Sequence, residues 1–293
     1  MRPAPNEHIA RLAFISDLHV AADFPAAVSH ARSAFAALAA FEPAPNAIIV
    51  NGDITDDGQP EEYDLLVQLA AEAQLQFPHD FIPAMGNHEQ RGYLHESTPE
   101  AFQAQRSLFL QHCGLDRLYY DTEVNGIHII VLGPDADPAS WKTTRVSEEQ
   151  LHWLDMQLLN DKLIGRPSFV VFHQPVNDTV LYTYKGELAH GVFESGDQVK
   201  AVLSKYNDIV VVTAHSHSPN SFFQEEGGPL YVADSAVAYM RTDSHTSWKD
   251  SDTNYSRGLI TDVFGDRVEF ISWDFVLQDE ADTGRYKLSR FSR

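Results

Sequence analysis

The sequence predicts an α/β fold, and three observations carry that reading. Short β-branched or apolar runs alternate with helical stretches along most of the 293 residues. The composition, 43% hydrophobic and 22% charged, is that of a globular chain and excludes collagenous, low-complexity and disordered classes. Nothing repeats at a fixed period, so neither a solenoid nor a propeller is expected.

Strands are expected at Leu12–Ile15, Ala47–Val50, Phe81–Met85, His128–Leu132, Phe169–Phe172, Ile209–Thr213 and Leu230–Ala233, each a short apolar run. Asn125-Gly126, between Tyr119–Val124 and Ile127–Val131, suits a type I′ hairpin turn. Gly265-Asp266, between Leu259–Phe264 and Arg267–Trp273, reads as a second hairpin. From about Asn254 onward the chain is expected to complete a sheet or form its edge. Helices fit Ala26–Phe41, Glu61–Ala73, Pro99–His112 (with Gly114 as a stop), Glu148–Leu159 and Asp197–Tyr206. Ser147 with Gln150, and Ser195 with Gln198, have capping-box spacing. Leu151, Leu154 and Leu158 form an apolar stripe for core packing. Residues 175–195, rich in Tyr and Gly, and 241–257, polar with His245 and Trp248, read as loops.

Lys and Arg number 21 against 42 Asp and Glu, a net charge of −21 without a basic cluster. Nucleic acid and anionic membrane surfaces are therefore disfavoured as partners. A small phosphate ester remains compatible where a local cation overcomes the overall field. No run approaches the ~18 apolar residues of a membrane span, and the N-terminus lacks an apolar leader segment, so a soluble, cytoplasmic protein is expected. A single cysteine, Cys113, excludes an internal disulfide and a thiolate zinc site. Any transition metal must then be held by His, Asp, Asn and Glu.

Five of the expected strands end in such residues: Asp17-Leu18-His19, Asn51-Gly52-Asp53, Gly86-Asn87-His88-Glu89, His173 and Ala214-His215-Ser216-His217. In open α/β sheets the carboxyl ends of strands bind ligands. Burying so many ionisable groups unpartnered would be costly, and coordination to metal offers a shared solution. Asp17 and His19, like His215 and His217, are two apart, so on extended chain each pair would project to one side. Gly52 and Gly86 permit close backbone approach. A mixed His, Asp and Asn donor set points to Fe, Mn or Zn.

In this order and spacing the five segments resemble the calcineurin-like metallophosphoesterases, over roughly positions 12 to 217. The resemblance implies a four-layer α/β/β/α sandwich with a dinuclear metal site at the carboxyl ends of the strands. It gives a metallophosphoesterase domain over 8–275 and leaves 276–293 as a C-terminal extension of unassigned role. By the same resemblance, Asp17, His19, Asp53 and His217 hold one metal ion, and Asp53, Asn87, His173 and His215 the other. Asp53 then bridges, and a hydroxide between the metals attacks phosphorus in line while Asn87 helps to hold the non-bridging oxygens. His88 corresponds to the histidine that stabilises the transition state or protonates the leaving group. Two departures stand out. Ala214 replaces the glycine usual before the His-x-His pair, for which a slight backbone adjustment is expected. Leu132-Gly133-Pro134 replaces a more polar run and bears on pocket packing.

Asp56 is balanced between a turn residue and an acceptor that orients a ligand histidine, whereas Asp57 reads as a turn. Arg91 is a surface cation or a holder of a phosphate oxygen. His190, Tyr182 and Tyr184 are candidates to line the substrate pocket. The histidines at 8, 30, 79, 95, 112, 128, 152 and 245 are read as surface or satisfied core residues. The segments Asp53–Gly58 and Gly86–Glu89 with Arg91, and the helix start at Ser147, resemble the branch of class III cyclic-nucleotide phosphodiesterases and glycerophosphodiesterases. A hydrolase acting on a small phosphodiester is thus expected. The alternatives are a phosphomonoesterase or protein phosphatase, a DNA-repair nuclease (opposed by the charge) and a non-catalytic scaffold (opposed by the filled positions). A homo-oligomer is left open.

Overall fold

The computed structural model describes residues 4, 6–93, 95–140, 143–184, 193–243 and 251–288, with side chains as far as Ala281. Continuous apolar runs form the central strands because both of their faces are covered. One sheet contains β1 (His8–Ile15), β2 (Ala47–Asn51) and β3 (Phe81–Ala84), together with β10 (Arg257–Phe264), β11 (Val268–Asp274) and β12 (Asp279–Leu288). Its order is β12-β11-β10-β1-β2-β3, parallel from β1 to β3 and antiparallel elsewhere. The other sheet has β4 (Tyr120–Val124), β5 (Ile127–Val131), β6 (Ser168–Val171), β7 (Ile209–Thr213), β8 (Ser221–Gln224) and β9 (Leu230–Ala233). Its order is β4-β5-β6-β7-β9-β8, with β5, β6, β7 and β9 parallel.

The pleat assigns alternate residues to different layers. On β1, Ala13 and Ile15 pack with helix residues such as Phe35 and Leu66, from α1 (Pro25–Ala40) and α2 (Pro60–Glu72). Leu12 and Phe14 face the other way, onto Ile129, Val131 and Phe169 of the second sheet. Phe14 and Phe169 stack across the seam at 5.6 Å. On the far side, Val170 and Val211 pack with Leu154, Leu158 and Leu203 of α5 (Glu148–Ile164) and α6 (Gly196–Leu203). Three apolar seams between four layers make an α/β/β/α sandwich. The remaining helices, α3 (Asn87–Arg91) and α4 (Pro99–Cys113), follow β3. Among the described residues, no helix is long and apolar enough to cross a membrane.

Local chemistry explains most of the boundaries. Asn125 and Gly126 take φ of +52° and +85°, as a type I′ turn demands. Gly114 ends α4 in the left-handed region, its N–H donating to the Leu110 carbonyl. Ser147 Oγ accepts from the Gln150 N–H at 3.1 Å, the cap expected for α5. Three readings need correction. Ser195 does not cap α6, because its hydroxyl is engaged with the Val146 backbone. Helix α5 runs past Leu159 to Ile164 and stops only at Gly165, which has φ +68°. Strand β8 was not anticipated: all four of its residues are half-buried, so it lacks a clean alternation. The Asn254-onward expectation is met by β10, β11 and the edge strand β12. Within the expected loops, 185–192 and 244–250, hence His190, His245 and Trp248, lie outside the described residues.

Candidate metal centre

The chain reverses sharply where β1, β2 and β7 end. Asp17, His19, Asp53, His215 and His217 all have φ between +44° and +62°, a region that side-chain-bearing residues rarely occupy. The paired residues are therefore not on extended chain, as the spacing had implied. Each pair lies in a left-handed turn beyond its strand, and the turns hold the pairs together. Such backbone costs about 1–3 kcal/mol per residue and persists where its surroundings over-determine it. Here, Asp17 and His19 donate their N–H groups to the Gly52 and Asp53 carbonyls at 3.0 Å. Gly52 has φ +82°, and a Cβ there would lie 2.6 Å from the His173 ring. Ala214, by contrast, has no positive φ, so alanine needs no special backbone there.

These turns bring together residues from both sheets in two clusters. Ligand-type atoms of Asp17, His19 and His217 lie within 4.8 Å of one another, as do those of Asp53, His173 and His215. Asp53 Oδ2 lies 3.9 Å from His19 Nε2 and 3.1 Å from His173 Nε2, which places one carboxylate between the clusters. Asn87 is buried beside them and its Oδ1 has no hydrogen-bond partner among the described residues.

The ring nitrogens test whether these residues fit metal ions. His19 Nδ1 faces Asp56 Oδ1 at 3.0 Å, His217 Nδ1 the Tyr239 carbonyl at 3.0 Å, and His173 Nδ1 the Asn51 carbonyl at 2.8 Å. Each of these oxygens can only accept, so each Nδ1 carries the hydrogen, and each Nε2 is the ring atom turned inward. Two of those Nε2 atoms, on His19 and His217, face one another at 3.2 Å. Converging imidazole Nε2 atoms and an orphaned amide oxygen are donors that a cation between them would use, and imidazoles fixed by acceptors at Nδ1 are the usual arrangement at metals. The donor set fits.

Without metal the charges compensate one another. Burial opposes ionisation of Asp53, but His173 and His88 hold it well below the carboxylate range. Burial likewise opposes charge on His173, yet Asp53 beside it pushes it up to about 10. His215 is pushed down to about 3 by burial and by the positive His173.

A layer behind the ligands fixes their positions. Asp56 faces His19 and also His88, whose Nδ1 lies 2.7 Å from the Asp56 carbonyl and 3.1 Å from its carboxylate. Asp57 accepts from Arg91 Nη2 at 2.8 Å. Glu89 accepts from the N–H groups of Asp53, Thr55 and Gly86 and from the Thr55 hydroxyl, at 2.9–3.1 Å. Ser16 links Asp17 to the buried Asp234, whose carboxyl burial pushes well above the usual range. Tyr239 stacks on His217 at 4.0 Å. Glu89 closes the Gly86–Glu89 segment, and its spacing alone points to no role. Asp234 and Tyr239 carry no spacing signal, because only the tertiary fold brings them to the centre. A small cavity beside His173 is lined by Leu132, Gly133, Pro134 and Gln174.

A family model described as calcineurin-like phosphoesterase matches residues 10–219. The chain belongs to that family. A probable cyclic nucleotide phosphodiesterase from Rhodococcus erythropolis is 28% identical over 162 residues, 53% of this chain. That match spans 48% of the relative, so the chain aligns with about half of its length. A second probable cyclic nucleotide phosphodiesterase, from Synechococcus, is 27% identical over 232 residues, covering 78% of this chain and 80% of the relative. In fold, the chain is similar to a dimetal phosphatase from Danio rerio, with TM-score 0.70 at 12% identity over 97% of this chain and 99% of that one.

Proposed function

We propose that this phosphoesterase hydrolyses a small phosphodiester, of the cyclic-nucleotide or glycerophosphodiester type, at a centre of two metal ions. The observation that supports the reading is a pair of donor clusters, Asp17 with His19 and His217 and Asp53 with His173 and His215, the Asp53 carboxylate lying 3.9 Å from His19 and His88 beside it. Asp17, His19, Asp53 and His217 would hold one ion, and Asp53, Asn87, His173 and His215 the other. Fe, Mn or Zn suits these donors. When bound, such ions supply a nucleophilic hydroxide at neutral pH and neutralise the charge that develops on the phosphoryl oxygens.

The chain's own residues then do the rest. Asn87 orients a non-bridging oxygen through its side-chain amide. His88 has Nδ1 fixed by Asp56 and Nε2 at 3.8 Å from Asp53 Oδ2, so Nε2 faces the centre. From Nε2 a protonated His88 gives its proton to the departing alkoxide as the P–O bond breaks. An alkyl ester needs that proton because an unprotonated alkoxide leaves poorly. The names of the two relatives support a diester, and the net charge of −21 argues against polymeric nucleic acid.

The test compares bis(p-nitrophenyl) phosphate, p-nitrophenyl phosphate and a cyclic nucleotide, using protein reconstituted separately with Mn²⁺, Fe²⁺ and Zn²⁺. Diester hydrolysis with two metal ions per chain is the expected result. An overwhelming preference for the monoester overturns the diester reading.

A further inference from the structure

Two bound metal ions would supply most of the positive charge that meets an anionic ester, and in a chain of net charge −21 a side-chain cation beside them would add to the attraction. Arg91, the candidate nearest in sequence, already donates from Nη2 to the Asp57 carboxylate at 2.8 Å and the Asp56 carbonyl at 3.0 Å. Arg241 is different. It lies on the segment after β9, where the Tyr239 ring covers His217 at 4.0 Å and His19 at 5.6 Å. Two backbone hydrogen bonds between Met240 and Asp252, at 3.0 and 2.8 Å, hold that segment, and the Arg241 N–H donates to the His217 carbonyl at 2.9 Å. Its Nε is buried and has no hydrogen-bond partner among the described residues. The hydrogen bond from its backbone N–H anchors Arg241 directly beside His217 of the first cluster.

We propose that Arg241 is the anion-holding arm of the site, its guanidinium donating to a non-bridging phosphate oxygen of the substrate on the His217 side. The proposal rests on the phosphoesterase reading of the centre and names the group that recognises the ester's charge. A guanidinium fork matches phosphate oxygens, and its attraction scales with the charge it meets. Arg241 therefore contributes more to a dianionic monoester, or to inorganic phosphate, than to a monoanionic diester.

The experiment titrates inorganic phosphate into the metal-loaded protein by calorimetry, for wild type, Arg241→Ala and Arg241→Lys, with metal content and thermal midpoint recorded. Arg241→Ala should weaken phosphate binding by about 10- to 100-fold, the loss expected for a hydrogen bond between charged groups. It should raise the monoester KM by a similar factor and the diester KM by less, while two metal ions per chain and the midpoint are retained. Arg241→Lys should restore part of the phosphate affinity. Unchanged phosphate affinity in Arg241→Ala overturns the proposal. Loss of metal or of fold in both variants also overturns it, because the residue would then be a buttress. A wild type that binds phosphate but turns over no diester overturns the diester reading alone, and the titration still decides the role of Arg241.

Discussion

His88 is held at Nδ1 by both the carbonyl and the carboxylate of Asp56, and its Nε2 is 3.8 Å from the carboxylate that lies between the clusters. In the proposed role, replacing it removes an acid without removing a member of the Asp17, His19 and His217 cluster or of the Asp53, His173 and His215 cluster, although it takes one donor from a third group, His19, Asp56 and His88. His88→Ala should therefore keep two metal ions and lower kcat by about 10²- to 10⁴-fold, the usual range for a positioned proton donor. Elemental analysis alongside steady-state kinetics checks this, and an unchanged kcat would refute the role. Asp53→Ala should behave differently. Its carboxylate approaches His19 and His173 from one side chain, so its loss should empty one or both metal positions, read directly as metal per chain. At this scale the sequence was informative where a donor directly follows an apolar run, as Asp17, Asp53, His173 and His215 do. It was uninformative for Tyr239, Asp234 and Arg241, which reach the centre on loops whose course no spacing records.

Each donor-bearing turn is an element with its own backbone requirement. The strands were legible because β2, β5 and β7 are apolar on both faces. The positive φ of the turns was not, because Asp and His there are set by the hydrogen bonds of neighbouring turns and not by local preference. Gly52 joins the two effects, with φ +82° and no room for a Cβ against the His173 ring. Gly52→Ala should displace His173 and lower metal occupancy at the Asp53, His173 and His215 cluster, while far-ultraviolet circular dichroism stays near wild type. Full occupancy would show that the turn can relax. The opposite end of the second sheet has a cross-link unrelated to metal. Asp161 of α5 meets His128 Nδ1 at 2.5 Å, Ser168 Oγ at 2.6 Å and Arg166 Nε at 2.6 Å, joining the helix to β5 and β6. Burial opposes its charge, but these hydrogen bonds lower its pKa below the ordinary 3.8. A carboxylate so shifted stabilises the fold fully above about pH 4, and the contribution fades as pH falls through the folded value. Asp161→Asn should cost about 1.5–3 kcal/mol at pH 7, and the deficit should narrow in acid. Urea denaturation at pH 7 and pH 3.5 measures both, and a pH-independent deficit would count against the ion pair.

Across the whole molecule, the candidate ligands divide between the two sheets. Asp17, His19, Asp53 and Asn87 follow β1, β2 and β3, while His173, His215 and His217 follow β6 and β7. The seam between the sheets is mainly apolar, with Leu12 and Phe14 against Ile129 and Phe169, and the candidate ligands gather at one end of it. Two cations at that end would fasten the sheets where hydrophobic burial does not reach. They would also join the Nε2 atoms of His19 and His217, which follow strands of different sheets and lie 3.2 Å apart. Because the assembled clusters exist only in the folded state, metal should stabilise folding by mass action, about 2.7 kcal/mol at a hundredfold excess over Kd. For a chain of this size that lowers the melting midpoint by on the order of 5 °C when a chelator removes the ions. Calorimetry with and without chelator measures the shift, and Asp53→Ala supplies the control, since a protein that cannot retain the ions should show little change. A wild-type midpoint indifferent to chelation would mean that the apolar seam alone holds the sheets together, and that the turns beyond β1, β2 and β7 keep their strained backbone without help from metal.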